Sequence, residues 1–490
     1  MARGFLLAVG DDVGIEQYST YGLGGGTGGG GLAYPDTTNA AALASAGWRA
    51  ATGAWAQQLC SPTRATIQTG VYPFRHGVGD LVRDDFNNPA DQDALPENYQ
   101  TIAETFLAAG YRTACFGKWH LGNSSNGGKF SPQRAGYEIY VGNLHNLSNA
   151  TVTDPAAALL GMSGQTYYDW LRVSNGDTTR CRQFHITHCA NLAIDFIRRC
   201  KARDEDWFLY LPFFGSHTPY SVPPTDLYDS ATWGDPPAVD IKKFKALTEA
   251  VDSELGRILE EVDYADDTVV FLTDNGTGHA TLDDGTFYEY NSVQSEKYLN
   301  YYTRGDGKRE YRGKDSPFET GVRVPLIVRG AGVTVSGNTA SAGLFSVADI
   351  YPTLVELAGL TMPDQPCDGI SFVPLLQGTS YTGHEYIYTE WFSPTGPNTG
   401  DSLGNRAITD GIYKLIRGIN DGGTSTNPAS GAYLQYSDVQ TATGTARLYN
   451  LSTDWREETD LAASTLTGAD LTAYNALDAA MADLLASDGL

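Results

Sequence analysis

The chain has 490 residues, 41% hydrophobic and 19% charged, the composition of an ordinary globular protein with room for a large core. Its formal net charge is -25, from 58 acidic against 33 basic residues, with no concentrated basic patch, which argues against a nucleic-acid partner held through phosphates. No apolar run approaches the ~20 residues that a membrane-spanning helix needs.

Met1-Ala2-Arg3-Gly4 precede a short apolar run, Phe5 to Val9. The run is shorter than a signal sequence requires and a carboxylate pair follows at once, so it reads as the first core strand. A cytoplasmic protein is expected, or a periplasmic or secreted one if a leader has been trimmed. The glycine-rich stretch from Gly22 to Gly31 lacks the Lys-Ser/Thr ending of a phosphate loop and reads as a flexible insertion. Ala40 to Ala46 predicts a helix, ended by Gly47. A second helix opens at Cys60, because Pro62 suits a first turn and Ala65, Ile67 and Gln68 continue it. Cys60 then sits at a helix mouth, where backbone N–H groups face an anion. Thr101 to Ala109 predicts a helix, Tyr111 to Phe116 a strand, Ala190 to Cys200 a helix and Trp207 to Phe214 a strand. A long amphipathic helix follows from Ile241 to Val262, then strands at Thr268 to Leu272 and Val324 to Val328, and a helix at Ala348 to Ala358.

Apolar strands alternating with helices predict an α/β fold, a large mixed and mostly parallel sheet sandwiched by helices. From about Thr379 the pattern changes to short β runs: Tyr386 to Trp391, Arg406 to Thr409, Tyr413 to Arg417 and Ala446 to Tyr449, with a terminal helix from Leu471 to Leu485. The expected division is 1–378 and 379–490, the second a smaller part with a short antiparallel sheet and a helix.

Ligands of open α/β sheets bind beyond the C-terminal strand ends. Asp11, Asp12, Lys118, His120, His217, Asp274 and Asn275 all fall just there. Asp11-Asp12 and Asp274-Asn275-Gly276 are each common turn sequences alone. Together, near a reactive cysteine motif, they invite a hard divalent cation. Gly117-Lys118-Trp119-His120-Leu121-Gly122 offers a lysine and a histidine from one short loop. Of the six cysteines, five remain once Cys60 is set aside, too few for a disulfide scaffold. Cys181, His185, His188 and Cys189 raise a zinc site, but they open an amphipathic helix and lack paired Cys-x-x-Cys spacing. A buried cysteine, or a Cys181–Cys189 or Cys189–Cys200 bridge, is the favoured expectation. His76 is read as supporting the site from behind, and His145, His279 and His384 as surface or satisfied core groups.

Cys60-Ser61-Pro62-Thr63-Arg64, followed by Gln68-Thr69-Gly70, resembles the Cys-x-Pro-x-Arg signature of the type I sulfatases, within the alkaline phosphatase superfamily. Gly117 to Gly122 matches that family's Gly-Lys-Trp-His-Leu-Gly element, and Ser216-His217-Thr218-Pro219 its second histidine. Arg312-Gly313-Lys314 with Phe318 to Pro325 matches its distal lysine region, although Glu319-Thr320-Gly321 stands where the family usually has Glu-Gly-Gly. Leu448-Tyr449-Asn450-Leu451, then Asp454 and Glu457, resembles its C-terminal region. The resemblance implies a sulfuric ester hydrolase whose Cys60 is oxidised to formylglycine by a formylglycine-generating enzyme. It implies a calcium ion (magnesium being the alternative) held by Asp11, Asp12, Asp274, Asn275 and residue 60. Catalytic roles follow for Cys60, Arg64, Lys118, His120, His217 and Lys314. The implied substrate is a sulfated small molecule or glycan, aryl or carbohydrate, with no nucleic-acid or membrane partner. A formylglycine-dependent phosphonate or phosphate ester hydrolase, or a non-catalytic calcium-binding relative, are the other readings. Tyr288, Tyr290, Tyr298, Tyr301 and Tyr302 are candidates to stack on a ring of the substrate.

Overall fold

A computed structural model describes residues 2–23, 33–82, 94–148, 155–278, 301–303, 309–335, 339–392, 404–419, 433–434 and 445–487. At its centre is a ten-stranded sheet in the order Thr339–Ser341, Trp48–Ala50, Leu326–Gly330, Asp267–Thr273, Gly4–Gly10, Trp207–Pro212, Arg112–Lys118, Ile139–Asn143, Trp170–Ser174, Asp177–Cys181. Its middle strands, from Asp267–Thr273 to Ile139–Asn143, are all parallel. Antiparallel pairs lie toward both edges.

The first strand is buried at every position, as a central parallel strand covered on both faces must be. Its side chains alternate between two cores. Phe5, Leu7 and Val9 join Ile67, Phe106 and Leu354, under the helices Cys60–Thr69, Ile102–Ala108 and Ile350–Leu357. Leu6 and Ala8 join Leu43, Ile194 and Leu247, under Thr38–Ala46, His185–Ala202 and Asp240–Leu259. The helix at Ile102 starts on a capping box, with Thr101 Oγ1 accepting from Glu104 N and Glu104 accepting from Thr101 N.

A separate four-stranded antiparallel sheet runs Ile387–Phe392, Gly404–Thr409, Tyr413–Ile419, Thr445–Asn450. The helix Gly468–Ala486 covers one face, packing Leu477 and Met481 on Ile408, Leu415 and Leu448. The other face, through Ile387, Ala407, Ile416 and Tyr449, packs on Trp55, Phe318 and Val322 of the larger part. None of the helices among the described residues is long and apolar enough to cross a membrane.

Three expectations change. The strand expected at Val324 to Val328 is two pieces. Arg323–Val324 pairs with Ala54–Trp55, and Leu326–Gly330 joins the large sheet, because Pro325 between them cannot donate to a ladder. The helix expected from Ala190 begins at His185. No bridge forms: Cys181, Cys189 and Cys200 are all free thiols, and the buried-cysteine reading holds. The stretch expected as a flexible insertion falls mostly outside the described residues, as do His279, Tyr288, Tyr290 and Tyr298; Tyr301 and Tyr302 are described only as strand backbone.

Gly117 and Gly142 pair across neighbouring strands one residue before Lys118 and Asn143. A Cβ on Gly142 would lie 1.8 Å from the Gly117 carbonyl oxygen, and backbone cannot yield as a side-chain tip can. Gly142→Ala is expected to cost ~1–3 kcal/mol of stability, as overpacking does, read as a lowered midpoint in urea unfolding.

Candidate active site

The Cys60–Thr69 helix is buried along its whole length. Leu59 precedes it in an extended conformation, and Gly70 ends it at φ 75°. Cys60 is its first residue, and Ser61 locks that end in place. The Ser61 hydroxyl donates to the His120 carbonyl (2.8 Å) and accepts from Val82 N (3.0 Å). The helix start is thus tied to the loop carrying the site histidine.

Four strand ends bring their loops to the same point. Asp11 follows Gly4–Gly10, and Asp274 follows Asp267–Thr273, whose backbones are joined by Asp274 N to Gly10 O (3.0 Å). Lys118 ends Arg112–Lys118. His217 follows Trp207–Pro212 on a loop bound to Asp11 in both directions, Asp11 N to Gly215 O (2.9 Å) and Ser216 N to Asp11 O (2.7 Å). Tyr167 steadies that loop by donating its hydroxyl to the Phe214 and His217 carbonyls.

Carboxylates and cations alternate at the centre. Lys118 Nζ lies 2.7 Å from Asp11 Oδ2. Arg64 donates from Nε (3.1 Å) and Nη2 (2.7 Å) to Asp274 Oδ2, and from Nη1 to the Lys118 carbonyl (2.7 Å). Lys314 Nζ lies 2.7 Å from Asp12 Oδ1, and Asn275 Nδ2 donates to that oxygen (2.9 Å). His217 Nε2 is 3.7 Å from Asp12 Oδ2, while its Nδ1 is 2.7 Å from the Thr218 carbonyl. Asp12 and His120 hold positive φ, 61° and 58°, uncommon for residues with a Cβ.

Lys314 arrives from a loop bound to both neighbours. Its backbone N donates to Thr277 O (3.1 Å), Asp315 N donates to Gln58 O (3.0 Å), and Gly276 N to Gly321 O (2.8 Å). A Cβ at position 276 would stand 1.9 Å from the Thr320 carbonyl oxygen, so the glycine of Asp274-Asn275-Gly276 permits this approach. Every residue expected in the site is therefore in one buried cluster: Asp11, Asp12, Cys60, Arg64, Lys118, His120, His217, Asp274, Asn275 and Lys314.

Buried side by side, the charges act on one another strongly. Burial, with Asp274 beside it, raises Asp11 to about 8 against the pull of Lys118. Burial also acts to raise Asp12, but Lys314, His217 and Lys118 hold it below the usual carboxylate range. Burial lowers His120 and His217, with Lys118 and Lys314 respectively acting in the same direction. Burial raises the Cys60 thiol despite Lys118 and Lys314.

The donor set suits a hard cation. Ligand atoms of Asp11, Cys60 and Asp274 lie within 4.8 Å of one another, as do those of Asp11, Asp12 and His217. Asp11 Oδ1 and Asn275 Oδ1 are buried with no hydrogen-bond partner, which a native interior rarely tolerates. Mostly oxygen donors with two such orphans fit calcium or magnesium.

Outside the cluster, His76 ends the short helix Pro73–His76 and meets the Cys60 helix away from its chemistry, with Nε2 3.2 Å from Thr66 Oγ1 and Nδ1 accepting from Val78 N. His185 Nε2 is 2.7 Å from Asn143 Oδ1, and His188 Nδ1 is 2.5 Å from Gln183 Oε1. His384 pairs with Asp349 at 2.6 Å. Sequence reasoning missed Ser61, Tyr167 and the Glu16–Thr277 hydrogen bond, whose Thr277 also accepts from Gly14 N and so joins the two carboxylate loops. Of these, Ser61 alone lies inside a motif that the sequence singles out.

The sulfatase family model matches residues 4–360, and a second, for the C-terminal part of N-sulphoglucosamine sulphohydrolase, matches 307–424. The chain belongs to the sulfatase family, a class of hydrolases. Among curated proteins it is 28% identical to human arylsulfatase A over 483 residues, 93% of this chain and 82% of that one. It is 27% identical to arylsulfatase G of Rattus norvegicus over 379 residues, 72% of this chain and 66% of that one, so it spans just under two thirds of that relative's length. Among solved structures, Ps i-CgsB shares the fold, with TM-score 0.72, 20% identity, and 100% of this chain and 94% of that one covered.

Three carboxylates in one buried pocket repel, so a bound divalent ion should stabilise the fold by mass action. Saturating calcium is expected to raise the melting temperature of metal-stripped protein by at least ~2 °C. Asp11→Asn with Asp274→Asn should abolish the rise, as measured by differential scanning calorimetry.

Proposed function

We propose that this protein hydrolyses sulfate monoesters, aryl or carbohydrate, through a formylglycine made from Cys60 by a formylglycine-generating enzyme, with a calcium ion beside it. What carries the reading is the convergence of Cys60, in its Cys-x-Pro-x-Arg motif, with Asp11 and Asp274 on one side and Lys118 and Lys314 on the other, in a chain of the sulfatase family. The buried cations answer the puzzle of an anionic substrate for a protein of net charge -25: the positive charge is local. Asp11, Asp12, Asp274 and Asn275 would hold the metal, with magnesium the alternative. The hydrated aldehyde, a geminal diol formed with one water, would supply the attacking oxygen, and the metal would polarise the sulfate.

The chain's own residues do the rest. Lys118, His217 and Lys314 bind sulfate oxygens and offset charge as it develops. Asp274 takes the proton of the attacking group, and Arg64, hydrogen-bonded to it, keeps its carboxylate oriented. The leaving alcohol takes its proton from Lys314 Nζ, or from His217 Nε2 when that ring carries a proton on both nitrogens. His217 Nδ1 faces the Thr218 carbonyl, which leaves Nε2 for the substrate. The His120 ring would accept the proton of the second diol hydroxyl, so that the C–O bond to sulfate breaks, sulfate leaves and the aldehyde returns.

Residues 1–378 form the catalytic part of this proposal and 379–490 the smaller one. The solved complex of Ps i-CgsB with k-i-k-neocarrahexaose shares this fold, with TM-score 0.70 at 20% identity, which is the reason to test oligosaccharides beside aryl sulfates.

Cys60→Ala is expected to lower kcat/KM on 4-nitrophenyl sulfate by at least ~10³-fold, the scale of losing a covalent nucleophile. Unchanged turnover would remove the nucleophile assignment. On formylglycine-bearing enzyme, confirmed by peptide mass, the sulfate ester should outpace the matching phosphate and phosphonate esters. Parallel rates on sulfated oligosaccharides identify the leaving group.

A further inference from the structure

Glu319, Lys414 and Glu457 are charged and at most 1% exposed, yet all three lie away from the carboxylate cluster. Lys414 stands on the Tyr413–Ile419 strand of the small sheet. Its Nζ lies 3.1 Å from Glu319 Oε1 and 2.7 Å from Glu457 Oε1. Glu457 Oε2 accepts from the backbone N of Glu319 (2.6 Å). Arg323 pairs with Glu319, and the Trp55 indole N–H donates to it (3.4 Å) while its ring lies 4.7 Å from Lys414 Nζ. Arg312 extends the join by donating to the Arg456 and Glu457 carbonyls, at 3.0 and 2.6 Å. Glu457 holds φ at 61°, a conformation that its surroundings must enforce.

Apart from the Lys414–Glu457 pair and the Trp55 ring, these contacts fall on one segment of the chain, 312–323. Lys314 lies inside it, in the stretch 312–318, which has no helix or strand of its own. Thr320 Oγ1 donates to the Arg312 carbonyl (2.5 Å) and Ser316 Oγ to the Gly313 carbonyl (2.6 Å), closing the loop upon itself. The loop is thus gripped at both ends from behind while its tip meets Asp12. Apolar contact already joins the two parts through Phe318, Val322 and Ile416. Such packing tolerates small slides, whereas buried charges held at ion-pair distance resist a change of register, at a desolvation cost that apolar residues avoid.

We propose that Lys414 and Glu457 are positioning residues for Lys314: the small sheet completes the active site by fixing the lysine loop from its far side. The inference rests on the role given to Lys314 under the proposed function. It is tested by a double-mutant cycle on formylglycine-bearing enzyme with 4-nitrophenyl sulfate. Lys414→Met is expected to lower kcat/KM about tenfold in the wild-type background and less than about twofold in the Lys314→Ala background, since neighbours acting through one group are not additive. Lys414→Arg should restore part of the loss. Equal factors in both backgrounds overturn the inference, because a general loss of fold does not depend on Lys314. So does a folded Lys414→Met enzyme of wild-type activity. If Lys414→Met does not fold, Glu457→Ala carries the same cycle. Lys314→Ala at wild-type activity would sink the role of Lys314 itself, and that variant is read alone, before any change to the small sheet.

Discussion

Like charges in a buried pocket must be compensated, and this fold is organised around that requirement. Asp11, Asp12 and Asp274 are almost wholly buried, within reach of one another. Removing a carboxylate from water costs several kcal/mol even after relaxation. Lys118, Arg64 and Lys314 offset part of that cost, each from a different loop or helix. Two oxygens, Asp11 Oδ1 and Asn275 Oδ1, are still left over. Charge balance, not shape alone, explains why a helix, four strand ends and a distal loop all meet here.

The same economy runs outward. Ser61 ties the cysteine helix to His120, Tyr167 ties the His217 loop to its strand, and Gly276 lets the Lys314 loop pass close to Asn275. The small sheet then holds that loop from behind through a second set of paired buried charges. Each layer restricts the freedom of the one inside it, and preorganisation of this kind is what electrostatic stabilisation of a developing charge needs. The chain's net charge is -25, yet three buried cations, Arg64, Lys118 and Lys314, meet where a tetrahedral anion would sit.

Much of this was legible in the residues. The central strands are continuous apolar runs, so Phe5 to Val9 and Thr268 to Leu272 were readable, and their polar ends marked the site. Strands such as Ile139–Asn143 and Trp170–Ser174 were not, because they are short, mix Gly142, Asn143 and Arg172 with apolar residues, and lie toward a sheet edge. Pro325 concealed a break that only pairing reveals. Asp11, Lys118 and His217 were found by position after a strand and by resemblance. Lys414 has no such mark: a lysine on a short β run reads as solvated, and its burial depends on Glu319 and Glu457, 95 and 43 residues away. Local pattern carries secondary structure and motif, but not the long-range pairing of charges.

The account stands or falls on one divalent ion at the centre of the carboxylates. Formylglycine-bearing protein crystallised with calcium and read by anomalous diffraction tests this directly. The expected result is a single peak bounded by oxygens of Asp11, Asp12, Asp274 and Asn275 at roughly 2.3–2.6 Å, with residue 60 beside it. Active enzyme with no peak there, or with its ion held by other residues, would contradict it.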